Sequence, residues 1–372
     1  MNRTTLPKTM TKDESVNLSL ESLFESYGFR KFKMRKFETY ALYEEFKSFL
    51  ISEYILTFSS PEGKLMALRP DVTLSIVKNT RADEQRSDKV FYRENVYRMD
   101  RHTKEYREIP QAGVEMIGNV DSASTIEIIR MAKQSLEIID PVSILCLSHT
   151  GFAEGILDAC QTTDDQRTNL LQCLRNQNIH DMKSIIGDKE LREGWLADLS
   201  EVLTSRGSYQ ETLAIARKIA VNNRMTEALD ELEFIGNTLT ELGMADGIRV
   251  DFTMQSDLTY YNGILMQGYV EKYPGIILTG GRYDRLLAKF HKNLSALGFA
   301  LNLGDLNFCY PNPAEYDADV LMLYSSNGSL TEVLSRADTL RREGKRVHLS
   351  QNIPHGFSAK EIIDLRKEVT SC

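Results

Sequence analysis

Six side chains between Lys89 and Gly118 have the types and spacing to act on a small charged molecule. Arg93, Arg98, Arg101 and Arg107 are planar forks that can grip a phosphate or a carboxylate through paired N–H donors. Gln111 and Glu115 stand four residues apart, so on a strand both point to one face. That face carries cations near a loop, then an amide and a carboxylate. Taken alone, the same stretch reads equally as a surface hairpin with solvated charges. Upstream, Asp71 and Thr73 follow Arg69-Pro70, where the proline stiffens the backbone as the two polar side chains leave a strand together. They also fit a helix start, with one of them as the cap. Tyr260 and Tyr261 offer two hydroxyls, and by themselves read as core. Trp195, His149 and His180 read as packing or surface residues, because no partner at catalytic spacing accompanies them.

The elements that must position these groups follow from periodicity. Val90-Phe91-Tyr92 and Ala112 to Gly118 are apolar arms on either side of a charged middle, which predicts strand, polar loop, strand. Thr11 to Tyr27 has mostly helical spacing behind Thr11 and Asp13, and Gly28 ends it. Phe29 to Phe37 alternates as a strand, and Glu38 to Ser52 returns to helical periodicity. Tyr54 to Thr73 predicts a hairpin turning at Pro61-Glu62-Gly63, with a return arm over Leu65 to Leu68. Ser122 to Ile139 is an amphipathic helix, and Pro141 to Leu147 a strand. From Gly151 to Gly243 the pattern is helical almost throughout. Strands return at Ile248 to Met254 and at Leu297 onward. Pro311 to Pro313 reads as a linker. Beyond it come a strand at Asp319 to Tyr324, a helix at Leu330 to Glu343, a strand at Arg346 to Ser350 and a short helix at Ala359 to Val369.

The 372 residues can bury a large core in two or three domains. A net charge of −8 supplies no global basic field to attract nucleic acid. The five cysteines form no CxxC pair, which fits reduced thiols in a cytosol, and no His/Cys cluster has zinc-ligand spacing. No apolar run approaches the length of a membrane span, so a soluble cytoplasmic protein is expected, without metal or cofactor.

The ordered pattern Tyr97-Arg98-x-Asp100-Arg101, Tyr106-Arg107-Glu108, Gln111-x-Gly113-Val114-Glu115-x-Ile117-Gly118 resembles motif 2 of class II aminoacyl-tRNA synthetases, and within that class the histidyl enzyme. Glu105 departs from it, standing where the synthetases carry an arginine. The unit around Phe29 to Ser52 resembles the dimer-forming motif 1, with Arg35 at the family's proline. Tyr260-Tyr261 resembles the histidyl-specific tyrosine pair, followed by Gly280-Gly281-Arg282-Tyr283-Asp284. Leu297 to Leu306 resembles motif 3. The resemblance implies an α+β class II synthetase-like fold, an antiparallel sheet flanked by helices, from residues 1–150 and 245–309. It also implies a helical insertion at 151–244 and a truncated anticodon-binding-like α/β fragment at 314–372. Asp71, Thr73, Arg98, Gln111, Glu115, Tyr260 and Tyr261 would then form a histidine-binding set, with one tyrosine against the imidazole.

Two arginine positions of the synthetases read here as Ser256 and Asp305. Losing one such charge-stabilising group costs on the order of 100- to 1000-fold in rate. The adenylating half is thus dismantled while the amino-acid half is kept, and no catalytic residue is assigned. That combination is similar to the family of regulatory subunits of ATP phosphoribosyltransferase. It implies binding of L-histidine and a hetero-oligomer, containing a homodimer of this chain, with the short-form catalytic subunit that condenses ATP with phosphoribosyl pyrophosphate. No specific nucleic acid and no membrane would take part. A divergent histidyl-tRNA synthetase is the alternative, and a synthetase-like module of a sensor protein the third reading.

Overall fold

The computed structural model describes residues 12–50, 54–83, 85–100, 103–186, 193–254, 260–304, 306 and 316–367. They fall into two compact units, 12–306 and 316–367. Thr11, Ser52, Arg101, Ser256, Asp305, the linker prolines and Val369 lie outside the described residues.

In the larger unit the strands are β1 (Arg30–Lys31), β2 (Phe37–Thr39), β3 (Thr57–Ser59), β4 (Leu65–Leu68), β5 (Asp88–Met99), β6 (Tyr106–Gly118), β7 (Ser143–His149), β8 (Ile248–Val250), β9 (Ile264–Val270), β10 (Tyr273–Arg282) and β11 (Ser295–Asn302). The helices are α1 (Lys12–Ser26), α2 (Tyr40–Glu45), α3 (Thr73–Asn79), α4 (Ser122–Ile139), α5 (Thr150–Ala159), α6 (Asp164–Asn176), α7 (Ile179–Ile186), α8 (Trp195–Thr204), α9 (Tyr209–Ile219), α10 (Asn223–Glu241) and α11 (Asp284–Lys289). Eight strands form one sheet in the order β1-β5-β6-β11-β10-β9-β7-β8, antiparallel except at its two edges. β2, β4 and β3 form a separate small sheet that contains the expected hairpin.

β5 and β6 pair from Asp88↔Ile117 to Met99↔Tyr106, so the arginine-bearing arm lies beside the arm carrying Gln111 and Glu115. Alternation then sorts the faces. Ala112, Val114 and Met116 join Phe24, Phe91 and Phe299 in a core under α1 and α4, continuous with Trp195 and the other buried residues of α5 to α10. Val90, Tyr92 and Ile117 point the other way, into a second apolar layer with α2, α3 and α11. Helix starts are set by local chemistry: Asp121 accepts from Ser124 N at 2.8 Å at the head of α4, and Thr163 and Ser208 close capping boxes on α6 and α9. Trp195 is fully buried, with Nε1 donating to the Ile219 carbonyl at 3.1 Å. His149 caps α5 and its Nε2 lies 3.0 Å from Glu231, while His180 is exposed.

Four expectations require correction. Phe29 to Phe37 is not one strand; only Arg30–Lys31 and the residues from Phe37 on pair, because the chain crosses between the two sheets in between. Arg69, a fully buried guanidinium, donates to Arg35 O in that crossing at 2.8 Å, and to Asn95 O at 2.8 Å and the Glu94 carboxylate at 2.9 Å on β5. The helix expected from Glu38 begins at Tyr40, since Glu38 and Thr39 pair with β4; it ends at Glu45, and a short 3₁₀ turn follows at Lys47–Phe49. The strand from Ile248 stops at Val250, where the Asp251 carboxylate accepts from the Thr253 amide at 2.8 Å and hydroxyl at 2.6 Å and turns the chain.

The fourth lies in the smaller unit, which holds β12 (Ala318–Leu323), α12 (Leu330–Arg342), β13 (Val347–Ser350) and β14 (Ala359–Asp364). The segment from Ala359 is a strand rather than a helix, followed by one 3₁₀ turn at Leu365–Lys367. It pairs parallel to β12 from Ala318↔Ala359 to Leu323↔Asp364, giving the order β13-β12-β14. Pairing with a central strand, helped by β-branched Ile362-Ile363, outweighs the helical spacing of its charges. α12 packs Val333 and Ala337 against Met322, Leu349 and Ile363.

Candidate functional site

A cavity of about 800 Å³ opens on the β6 face opposite α1 and α4. Its walls include Asp71 and Thr73 at the start of α3, Arg98 from β5, Gln111 and Glu115 from β6, and Tyr260 and Tyr261. The seven residues of the expected histidine-binding set therefore all line one cavity. The tyrosine pair precedes β9 rather than lying in a strand, with ring centroids 4.5 Å apart.

Glu115 is the most buried carboxyl of the cavity, 3% exposed. Its Oε1 accepts from Thr73 Oγ1 at 2.7 Å and its Oε2 from the Tyr283 hydroxyl at 2.5 Å. Burial pushes its pKa up to about 8, against the opposing pull of those two donors. Room for a carboxyl at the centre of a sheet comes from the neighbouring strand. Gly298 of β11 pairs opposite Glu115, and a Cβ there would collide with Oε2. Gly298→Ala is therefore expected to push the carboxyl off Tyr283 and to cost about 1–3 kcal/mol of stability. The readout is a lowered melting temperature, and an unchanged one would contradict this packing.

Asp71 sits just before the first residue of α3 and on the cavity wall. Its Oδ1 accepts from Leu74 N at 2.9 Å and so steadies the first turn of α3, while the carboxylate also faces the cavity. Burial raises its pKa, opposed chiefly by Arg98, whose Nη2 lies 3.8 Å away. Arg98 is itself held on the wall by Nε donating to Pro70 O at 2.7 Å. Gln111 donates through Nε2 to Asn302 Oδ1 at 2.7 Å, its pairing partner across β11, which leaves the amide oxygen as an acceptor. The cavity thus offers a desolvated carboxylate–guanidinium pair, an amide oxygen and a proton-holding carboxyl, a set suited to an ammonium and a ring with N–H groups.

Sequence reasoning did not single out Tyr283, Tyr92 or Arg175, which also line the cavity. Tyr283 belongs to the Gly280-Gly281-Arg282-Tyr283-Asp284 run, between β10 and α11. Arg93 is directed away, 3.8 Å from Glu21, and Arg107 lies 3.6 Å from Asp100.

The model of the family described as Histidyl-tRNA synthetase matches residues 2–306. A protein from Oceanobacillus iheyensis named ATP phosphoribosyltransferase regulatory subunit is 26% identical over 93% of this chain and 86% of its own length. Among solved structures, an ATP phosphoribosyltransferase regulatory subunit/histidyl-tRNA synthetase from Bacillus halodurans C matches with a TM-score of 0.76 and 22% identity over 98% of this chain and 96% of that one. A chain of the ATP phosphoribosyl transferase (HisG:HisZ) complex from Thermotoga maritima matches with a TM-score of 0.62 and 18% identity over 78% of this chain and 97% of that one. The fold is histidyl-tRNA synthetase-like, and the chain is a homologue of proteins named as regulatory subunits.

Proposed function

Since the chain belongs to the histidyl-tRNA synthetase family, we propose that it acts as the non-catalytic regulatory subunit of ATP phosphoribosyltransferase, the first enzyme of histidine biosynthesis, and binds L-histidine without activating it. The observation that carries this reading is the buried Glu115 carboxyl between Tyr283 and Thr73, in one cavity with Asp71, while Ser256 and Asp305 stand where an adenylating enzyme needs cations. Asp71, Thr73 and the Gln111 oxygen suit the ammonium of histidine. Glu115 with Tyr260 or Tyr261 suits the imidazole, and Arg98 flanks the carboxylate side. The partner is a short-form catalytic subunit, and this chain pairs with itself through α2 and the strand before it.

Co-expression with a short ATP phosphoribosyltransferase is the test. The two chains are expected to co-purify, and the complex to be more active than the catalytic subunit alone and inhibited by histidine. An isolated chain sedimenting as a monomer at micromolar concentration contradicts the pairing. Binding of tRNA is expected to be weak and to vanish at physiological salt, because the acidic chain offers few phosphate contacts. Tight, sequence-selective tRNA binding would instead make this a divergent histidyl-tRNA synthetase.

A further inference from the structure

Three of the cavity's tyrosines come from two stretches of chain, and one side-chain amide joins the stretches. Tyr260 and Tyr261 precede β9, whereas Tyr283 lies between β10 and α11. Their rings form one wall: the Tyr260 centroid is 4.5 Å from that of Tyr261 and 5.7 Å from that of Tyr283. Tyr261 lies on Gly281 of β10, where a Cβ would come within 2.8 Å of the ring. Tyr283 holds the N-cap position of α11, but its hydroxyl is given to Glu115 and its side chain makes no cap bond.

The bond that α11 would draw from its own cap comes instead from Asn262, the residue after the tyrosine pair. Its Oδ1 accepts from Arg285 N at 3.2 Å, and its Nδ2 donates to Asp284 Oδ2 at 3.2 Å. Its backbone N–H donates to Arg282 O at 2.9 Å. Asn262 is thus bonded to the residues on both sides of Tyr283. Asp284 is anchored in turn, accepting from Ala296 N and from Arg282 Nε, each at 2.8 Å. Next to Asn262, Gly263 N donates to Thr150 Oγ1 at 2.7 Å and Thr150 N to Gly263 O at 2.9 Å, which ties the same segment to the start of α5. An amide suits both of its side-chain partners, since its oxygen accepts and its nitrogen donates. A carboxylate there would face Asp284 with like charge.

We propose that Asn262 is the positioning residue of the cavity's aromatic wall, holding Tyr260 and Tyr261 in register with Tyr283 and so with Glu115. This rests on the histidine reading of that cavity. Asn262 is not among the described residues that line the cavity, so it acts through the rings and not on the ligand.

Calorimetry with L-histidine on the full chain, alongside thermal unfolding, is the experiment. Asn262→Ala is expected to weaken histidine by roughly 10-fold, and Asn262→Asp by at least as much. Combining Asn262→Asp with Asp284→Asn restores one amide and one carboxylate. That exchanged pair is expected to return to within about a factor of three of wild-type affinity. A pH profile separates positioning from stability. The Tyr283 hydroxyl opposes the rise that burial gives the Glu115 pKa, while Thr73 and Asp71, the other groups beside that carboxyl, keep their places. With Tyr283 displaced, Glu115 keeps its proton to higher pH, so in Asn262→Ala tight binding should extend above about 8, and in the exchanged pair return to the wild-type range. If Asn262→Ala keeps the wild-type affinity and pH profile, or the exchanged pair regains no affinity over Asn262→Asp, the assignment to Asn262 falls and the histidine pocket stands. If Asn262→Ala does not fold, the exchanged pair against Asn262→Asp decides. If wild type binds no histidine, both readings fall.

Discussion

Replacing Glu115 by alanine is expected to weaken histidine binding by roughly 10- to 100-fold, because a hydrogen bond to a charged group contributes about 1.5–3 kcal/mol. The test is calorimetry at pH 7, with Asp71→Ala as the companion for the ammonium end. If both variants bind and transmit histidine like wild type, the cavity is not the sensor. The pKa of Glu115, near 8 in the fold against 4.5 ordinarily, adds a pH signature. Between those values the folded chain keeps a proton that the unfolded chain has released, so stability is fully present below 4.5 and is lost as pH rises through 8. The loss is on the order of a few kcal/mol. Glu115→Gln removes the titration, so its melting temperature should gain on wild type from pH 5 to pH 9. In the complex one proton shared between ring and carboxyl suffices. Affinity should therefore be flat from the imidazole pKa of about 6.5 to about 8, and fall outside that range.

Histidine-dependent exchange of pyrophosphate into ATP is expected to run at least on the order of 1000-fold below that of a working synthetase. Activation brings a carboxylate against a triphosphate, and both the attacking and the leaving oxygens need fixed positive charge. If the resemblance to the synthetases holds at these positions, Ser256 supplies none and Asp305 adds a negative charge at the other one. Arg98 cannot substitute, because its guanidinium lies against Pro70 and Asp71. Exchange at a synthetase-like rate would sink the regulatory reading.

Much of this was legible because the decisive groups sit in local patterns. Gln111 and Glu115 share a face by strand periodicity alone, and Asp71 and Thr73 are fixed by the proline before them. Tyr283 was not legible in that way. Its hydroxyl reaches Glu115 across 168 positions of sequence, only because α11 follows β10 and packs on the cavity side of the sheet. Arg175 was hidden for a similar reason, being one more charge in a helical stretch until α6 ends at the cavity. The segment from Ala359 misled in the opposite direction, since its charges repeat with helical spacing while its partner strand lies some forty residues upstream.

Arg69 has a further bearing on how the chain folds. One guanidinium takes carbonyls from positions 35 and 95 and a carboxylate from position 94, so it clips the crossing between the sheets to the start of the motif that carries Arg98. Neither sheet can satisfy those groups without the other. The small hairpin and the edge of the large sheet should therefore fold late, as one cooperative unit, since the clip closes two long loops at once. The same linkage keeps the rim of the cavity from fraying piecemeal. Opening it would strand a buried cation, so the rim should exchange its amide protons only in the larger excursions that unmake both sheets together.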